Sequence, residues 1–153
     1  MSVTRDPGRP DDALKATPST AVEGRLRLVA HRFTRTPAGV CRIEIELEAP
    51  DGTRSQGWAQ GTAGATVELR LAAEATLQAL QRAVGGTQRF ELLGVKSLRA
   101  FDASVVIVAV ETERFGQPTR LLGCVQASGE LEHAAVLAVL DATNRVCAIG
   151  AAR

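Results

Sequence analysis

Aromatic residues are scarce in this sequence, which has four phenylalanines, one tryptophan and no tyrosine. Stacking of bases on aromatic rings is the commonest basis of single-strand recognition, so the shortage of rings argues against a nucleic acid partner. The formal net charge of +1 produces no field that would gather phosphate groups or an anionic membrane surface. We therefore expect neither nucleic acid nor a membrane as a partner.

Cysteine is also sparse, because Cys41, Cys124 and Cys147 are the only three and show no CxxC spacing. Disulfide frameworks and zinc sites use paired, closely spaced cysteines, so we expect small buried side chains in a reducing compartment, with no metal and no cofactor. The chain lacks a run of about 18 apolar residues that could span a membrane. Its N-terminus lacks the apolar core of a secretory signal, which makes a cytoplasmic protein the default expectation.

Common catalytic motifs are missing as well: the sequence has no HExxH, GxSxG, Walker loop or GxGxxG. Cys124 and His133 suggest a nucleophile and a base near one turn. A thiol hydrolase needs the two within hydrogen-bond reach and a third group that holds the imidazole. A cysteine on an apolar strand and a histidine on a helix surface explain both residues without catalysis, so we expect a protein that is not an enzyme.

Residues 1–24 hold Pro7, Pro10 and Pro18, together with small and polar residues, and have little to bury. Such a segment cannot offset its ordering entropy, so we predict a disordered N-terminal tail. Residues 25–150 are predicted to form a single domain.

The clearest alternation in the first half places Ile43, Ile45 and Leu47 against acidic neighbours at positions 44, 46 and 48. This pattern predicts a strand with one packed face and one wet face. The acidic ladder is expected to pair with Arg25, Arg27 or Arg54 on neighbouring strands. Pattern and turn signals predict strands over 25–34, 40–48 and 54–60, and a helix from Thr66 or Glu68 to about residue 84.

The second half repeats this order, with strands over 90–98, 104–111 and 119–126 and a helix over about 131–147. Residues 104–111 form a nearly continuous apolar run, which predicts a strand covered on both faces near the centre of a combined sheet. The last helix carries more apolar residues than one buried stripe needs. Part of it is therefore expected to face another element or another chain.

The two halves overlay at a shift of about 63 to 66 residues, with Gly57 on Gly123 and residues 75–82 on residues 138–145. The same overlay places Leu26 on Leu92 and Val29 on Val95. We predict an α+β fold: a duplicated βββα unit, about 25–86 and 89–148, with pseudo-twofold symmetry and helices packed on antiparallel sheet.

Small residues precede both predicted helices, where free backbone N–H groups and the helix dipole suit a carboxylate. The candidate ligand-binding residues are Gly61, Thr62, Ala63, Gly64, Ala127, Ser128 and Gly129. Three polar residues near these elements, Asp102, Asp141 and Asn144, are expected to hydrogen-bond within the fold first and to contact a ligand second.

The second half resembles the C-terminal regulatory domain of 2-isopropylmalate synthase, through residues 101–111, 122–126 and 135–145. The first half is similar through Asp51-Gly52, residues 57–64 and residues 72–80, so the resemblance covers about 25–145. It implies two βββα units, a dimer, and an amino acid bound near the turns and helix starts. The catalytic barrel of that enzyme has no counterpart here, so no synthase activity is implied.

These observations lead to the expectation of a regulatory dimerisation module that forms a homodimer and senses an amino acid or other carboxylate metabolite. A protein–protein interaction or scaffold protein without a ligand pocket is the alternative. A small enzyme using Cys124 or His133 is a third possibility.

Overall fold

The computed structural model describes residues 25–86 and 88–152, with side chains described up to Cys147. The fold is α+β, and the order strand, strand, strand, helix occurs twice. The first unit consists of β1 (Arg27–Arg35), β2 (Val40–Glu48), β3 (Arg54–Thr62) and α1 (Ala65–Ala83). The second unit consists of β4 (Phe90–Ala100), β5 (Ala103–Arg114), β6 (Gln117–Ala127) and α2 (Leu131–Ala152). All eight predicted elements are confirmed, whereas the predicted N-terminal tail lies outside the described residues.

Each unit folds into its own three-stranded antiparallel sheet, with β2 in the middle of the first sheet and β5 in the middle of the second. On β2 the alternation works as predicted: Ile43, Ile45 and Leu47 are buried, while the acidic residues between them remain partly accessible. The packed face of β2 meets α1, so the period of two places every apolar residue on the core side.

The prediction that β5 lies at the centre of a combined sheet with both faces covered is wrong. The two sheets are separate, and only one face of β5 is buried, through Val106, Val108 and Val110. The opposite face carries Val105 and Ile107, which are only partly buried. An apolar run shows that both faces are hydrophobic, but it cannot show whether the chain itself covers the second face.

The helices join the two units into one hydrophobic core. Helix α1 packs on β2 and β3 and also contacts β4, while α2 packs on β5 and β6 and also touches β1. The two helices contact each other as well. The expectation that the broad apolar surface of α2 faces another element is therefore confirmed, since Ala135, Val136 and Val139 are fully buried inside the chain.

The two units share local contacts at corresponding positions. A Cβ built on Gly57 would overlap the carbonyl oxygen of Ala75, and one built on Gly123 would overlap that of Ala138. The first strands also correspond, because β1 and β4 each have a bulge. Their predicted overlay is wrong by two residues, since cross-strand pairing matches His31, not Val29, with Val95. A pattern with a period of two leaves such a shift undecided.

Candidate functional site

The seven predicted site residues lie in two turns, each at the junction between the last strand of a unit and its helix. Gly61 and Thr62 end β3, and Ala63 and Gly64 lead into α1. Ala127 ends β6, and Ser128 and Gly129 precede α2. The helix N-termini therefore stand where the sequence predicted them, but the two turns differ in what surrounds them.

The first turn is filled by a side chain of the same chain. Glu68, only 5% exposed, accepts a hydrogen bond from the backbone N–H of Gly64 at 3.1 Å. The same carboxylate oxygen pairs with the Arg35 guanidinium at 2.5 Å. A Cβ on Gly61 would already reach contact distance from Leu71. The N-terminus of α1 thus holds an internal carboxylate, as the helix dipole favours.

The second turn borders an open cleft of about 160 Å³. All three predicted residues, Ala127, Ser128 and Gly129, line this cleft, together with Glu130 and His133. A Cβ on Gly129 would meet nothing within 4 Å, so the turn leaves space beside its backbone.

The difference between the turns follows from the point at which each helix begins. With Ala75 matched to Ala138, the first residue of α2, Leu131, corresponds to Glu68, the fourth residue of α1. The second unit therefore lacks both the first helical turn of α1 and its internal carboxylate. Among the described residues, no side chain accepts a hydrogen bond from the backbone at the start of α2.

Two histidines meet beside the second turn, a contact that sequence reasoning missed. The ring of His31 on β1 lies 5.7 Å from the ring of His133 on α2, in an edge-to-face arrangement. His31 Nε2 is buried without a hydrogen-bond partner. Burial lowers the pKa of His31, and the neighbouring His133 lowers it further, against the opposing charges of Glu130 and Glu132. His31 lies opposite Ile45, in the register of the core-facing residues of β1. The sequence overlay assigned this position to Val29, so it did not reveal that His31 faces inward.

The structure does not bring Cys124 and His133 together as a nucleophile and base. Cys124 is exposed and pairs in register with Ile107, on the face of β6 that points away from the helices. His133 instead packs against His31. Within the described ranges no hydrogen bond links the thiol to the imidazole. This geometry offers no activated thiol.

Of the three remaining polar candidates, Asp102 and Asp141 have structural roles. Asp141 Oδ2 accepts a hydrogen bond from the backbone N–H of Cys124 at 3.2 Å. Asp102 stands at φ 63° in the hairpin between β4 and β5, a conformation that aspartate tolerates. Asn144 Oδ1 is buried and has no hydrogen-bond partner. The first two are thus structural residues, while Asn144 remains unsatisfied.

The acidic ladder of β2 is paired with arginines, as predicted for Arg27 and Arg54. Glu48 pairs with both of these arginines, and Arg54 also reaches Glu46 at 3.1 Å. Arg42 adds a pair with Glu44 at 2.7 Å. Across residues 25–86 and 88–152 there is no group of three metal-binding side chains, and none of the helices described there is long and apolar enough to cross a membrane.

Comparison with protein-family models gives no match, and comparison with curated proteins gives none either.

Proposed function

We propose that the protein is a non-enzymatic regulatory dimerisation module of the cytoplasm that binds an amino acid or another small carboxylate metabolite. The binding site is the cleft at Ala127, Ser128 and Gly129. One observation carries the proposal: the first unit fills its helix N-terminus with the Glu68 carboxylate, whereas the second unit has Leu131 at that position and an open cleft. A ligand carboxylate would take the place that Glu68 has in the first unit.

The cleft has the groups that a zwitterion needs. Backbone N–H groups at the start of α2 and the helix dipole suit the carboxylate. Glu130 at the rim suits an ammonium group, and Leu137 adds an apolar wall for a short side chain. A volume of about 160 Å³ fits a small metabolite better than a nucleotide or a long peptide.

The position of the cleft supports a regulatory role. Helix α2, whose N-terminus borders the cleft, contacts both sheets and α1, so a ligand there touches the element that joins the units. The shared contacts of Gly57 with Ala75 and of Gly123 with Ala138 favour a pseudo-twofold axis between the units. In such an arrangement, a ligand that is bound in only one unit makes the two units unequal.

An NMR titration of the ¹⁵N-labelled chain with amino acids and short carboxylic acids tests the proposal. We expect the amide signals of Ser128, Gly129 and Glu130 to shift, while Gly64 at the filled turn does not. Leu131→Glu gives the second unit its own carboxylate and should abolish the response. Leu131→Gln is the matched neutral control and should keep it. A panel without any response at these amides would remove the ligand from the proposal.

The filled first turn favours a second candidate, a scaffold protein that uses the same fold without a ligand. Glu68 and Arg35 show how such a turn is closed by the chain itself. In a scaffold, Leu131→Glu and Leu131→Gln would behave alike and no metabolite would shift the amides. Self-association would persist in both variants under either candidate, so the amide response to the metabolites separates the two.

A further inference from the structure

The outer face of the second sheet, the side that points away from the helices, is largely apolar and exposed, with Lys96 and Gln126 as polar residues in the rows of Ile107 and Val105. Its members alternate with the buried core residues of the same strands. Leu122 is 60% exposed, Leu93 and Leu98 are exposed as well, and Val105 and Ile107 are partly buried between them. Contiguous apolar surface of this kind marks an interaction site on a soluble protein.

The outer face of the first sheet is charged at the corresponding positions. With Gly57 matched to Gly123, Gln56 corresponds to Leu122, and cross-strand pairing then matches Glu44 with Ile107. All seven ion pairs found among the described residues lie in the first unit. The apolar face is thus a property of the second unit alone, and the βββα plan does not require it.

Charges at one end of this face have no partner within the described chain. Glu91 lies directly opposite Glu111, which in turn lies opposite Arg120. None of the three forms an ion pair among residues 25–86 and 88–152. Like charges opposite each other on a sheet are destabilising, so Glu91 and Arg120 at the two edges of this row are both free to pair with opposite charges of a partner.

Two exposed phenylalanines lie in the hairpins at the two ends of β5. Phe101 and Phe115 are fully or almost fully exposed, in the hairpins that precede and follow the strand. Both have positive φ, 53° in each case, which is a strained conformation for a bulky residue. The two-residue hairpin turns at 101–102 and 115–116 require positive φ at both residues, so a phenylalanine there places apolar surface at the tip of each turn.

We propose that a second copy of this chain covers this face, with the twofold axis running along β5. This proposal deepens the dimerisation part of the proposed function by naming the surface. Sheets packed face to face lie about 10 Å apart with nearly aligned strands. Such an axis lays β5 over the partner's β5, and β4 over the partner's β6.

The register of the sheet makes this arrangement self-complementary. The axis keeps rows of paired residues together, so Glu91 faces the partner's Arg120, and Gly94 faces the partner's Leu122 with the bulge residue Leu93 beside it. The apolar residues of β5 then lie over their own copies. Each phenylalanine of the hairpins lies near the axis and beside its own copy. Apolar groups therefore meet apolar groups and Glu91 meets an arginine, while Glu111 lies over its own copy between the Arg120 side chains of the two chains.

The area of the face is sufficient for a modest dimer. Three strands of about 11 residues, at about 3.3 Å per residue and 4.8 Å between strands, cover roughly 500 Å². Two copies would bury roughly 1,000 Å², which is near the lower limit of specific interfaces. We therefore expect a reversible dimer whose population depends on concentration in the micromolar range.

Sedimentation equilibrium of the full chain and its variants tests the surface. Leu122→Lys should weaken association at least about tenfold, because it places a charge in the apolar face. Gln56→Lys, at the corresponding site of the first sheet, is the matched control and should leave association unchanged. Circular dichroism confirms that each variant is folded. A monomer at all concentrations, or equal effects of the two substitutions, would overturn the proposal.

A charge-swap series tests the register. Glu91→Arg should weaken the dimer at least about tenfold, because two arginines then face each other. Adding Arg120→Glu to the same chain should restore association, since the opposite charges are again paired across the axis. A double variant that is no better than Glu91→Arg contradicts this register.

Labelling of Cys124, which lies on the same face, gives a readout that needs no substitution. Its reaction with a thiol reagent should slow as the wild-type chain is concentrated, but not in the Leu122→Lys variant. This outcome is independent of any metabolite. If the chain dimerises but binds no metabolite, only the ligand part of the proposed function is removed. If it binds a metabolite as a monomer, this surface and the dimerisation part of the proposed function are removed, while the ligand part stands.

Discussion

Gly123 lies so close to Ala138 that a Cβ built on the glycine would overlap the carbonyl oxygen of that alanine, well inside the 3.0 Å that real Cβ contacts respect. Gly57 has the same relationship to Ala75 in the first unit. In each unit this contact brings the helix directly against the last strand. Because the obstacle is backbone, neither the strand nor the helix can move aside cheaply.

Gly57→Ala and Gly123→Ala should therefore each destabilise the fold by about 3 kcal/mol or more, as overpacking against an immobile neighbour does. Urea unfolding followed by circular dichroism measures the effect. Gly94→Ala is the control, since a Cβ there would meet nothing within 4 Å, and it should change the free energy of unfolding little. Similar losses for all three would contradict the close contact.

The hydrogen bond between Asp141 and Cys124 has its own consequence. Gln78 Oε1 accepts the equivalent bond from the backbone N–H of Trp58 at 2.8 Å in the first unit. Asp141→Ala and Gln78→Ala should each cost about 1 kcal/mol in the free energy of unfolding. Asp141→Asn keeps an acceptor oxygen and should lose less. If Asp141→Ala leaves the free energy of unfolding unchanged, the bond contributes nothing measurable.

The contact between His31 and His133 predicts a dependence of stability on pH. The pKa of His31 is lowered from 6.5 in the native state, so below about pH 6.5 the unfolded chain binds more protons than the native chain. Native stability should therefore be fullest above about pH 6.5 and fall as the pH drops through the lowered pKa. The urea midpoint measured at about pH 7.5 and about pH 5.5 reports this change.

Valine is the matched replacement for His31, because Val95 occupies the corresponding position of β4. His31→Val should flatten the pH dependence of the urea midpoint between those two values. His133→Ala removes the smaller of the two causes that lower the pKa of His31, together with the ring contact, and leaves His31 in place, so it should flatten the dependence less. A His31→Val variant that keeps the full wild-type slope would show that other groups cause it.

The cysteines should differ sharply in reactivity. Burial raises the pKa of Cys147 to about 11 and also raises the pKa of Cys41, where the charge of Glu68 adds to the effect. Both remain protonated and shielded near pH 8, while Cys124 is exposed. A dilute native sample should label at one thiol, and the unfolded chain at all three. Cys124→Ser should remove the native reaction, and labelling of either buried thiol would contradict the burial.

The local spacing of apolar residues was enough to predict the helices and strands of this fold. It was not enough to predict what surrounds the candidate site. Strict alternation on β2 and a stripe of leucines and alanines on α1 predicted their positions closely, because the spacing of apolar residues reflects the geometry of each element. The small residues before the two helices were also predicted. The filling of the first turn was not predicted, since Glu68 bonds to Gly64 there and is also paired with Arg35, which lies 33 residues away on β1.

The sequence by itself determined the order of elements, the duplicated unit and the wet face of the first sheet, because each is written in neighbouring residues. Only the tertiary structure decided that the sheets are separate, that α2 is covered within the chain and that β5 keeps an apolar outer face. It also decided that His31 meets His133. Those properties depend on which element packs against which. The spacing of apolar residues, with a period of 2 in strands and 3.6 in helices, shows which face of an element is apolar but not which element covers it.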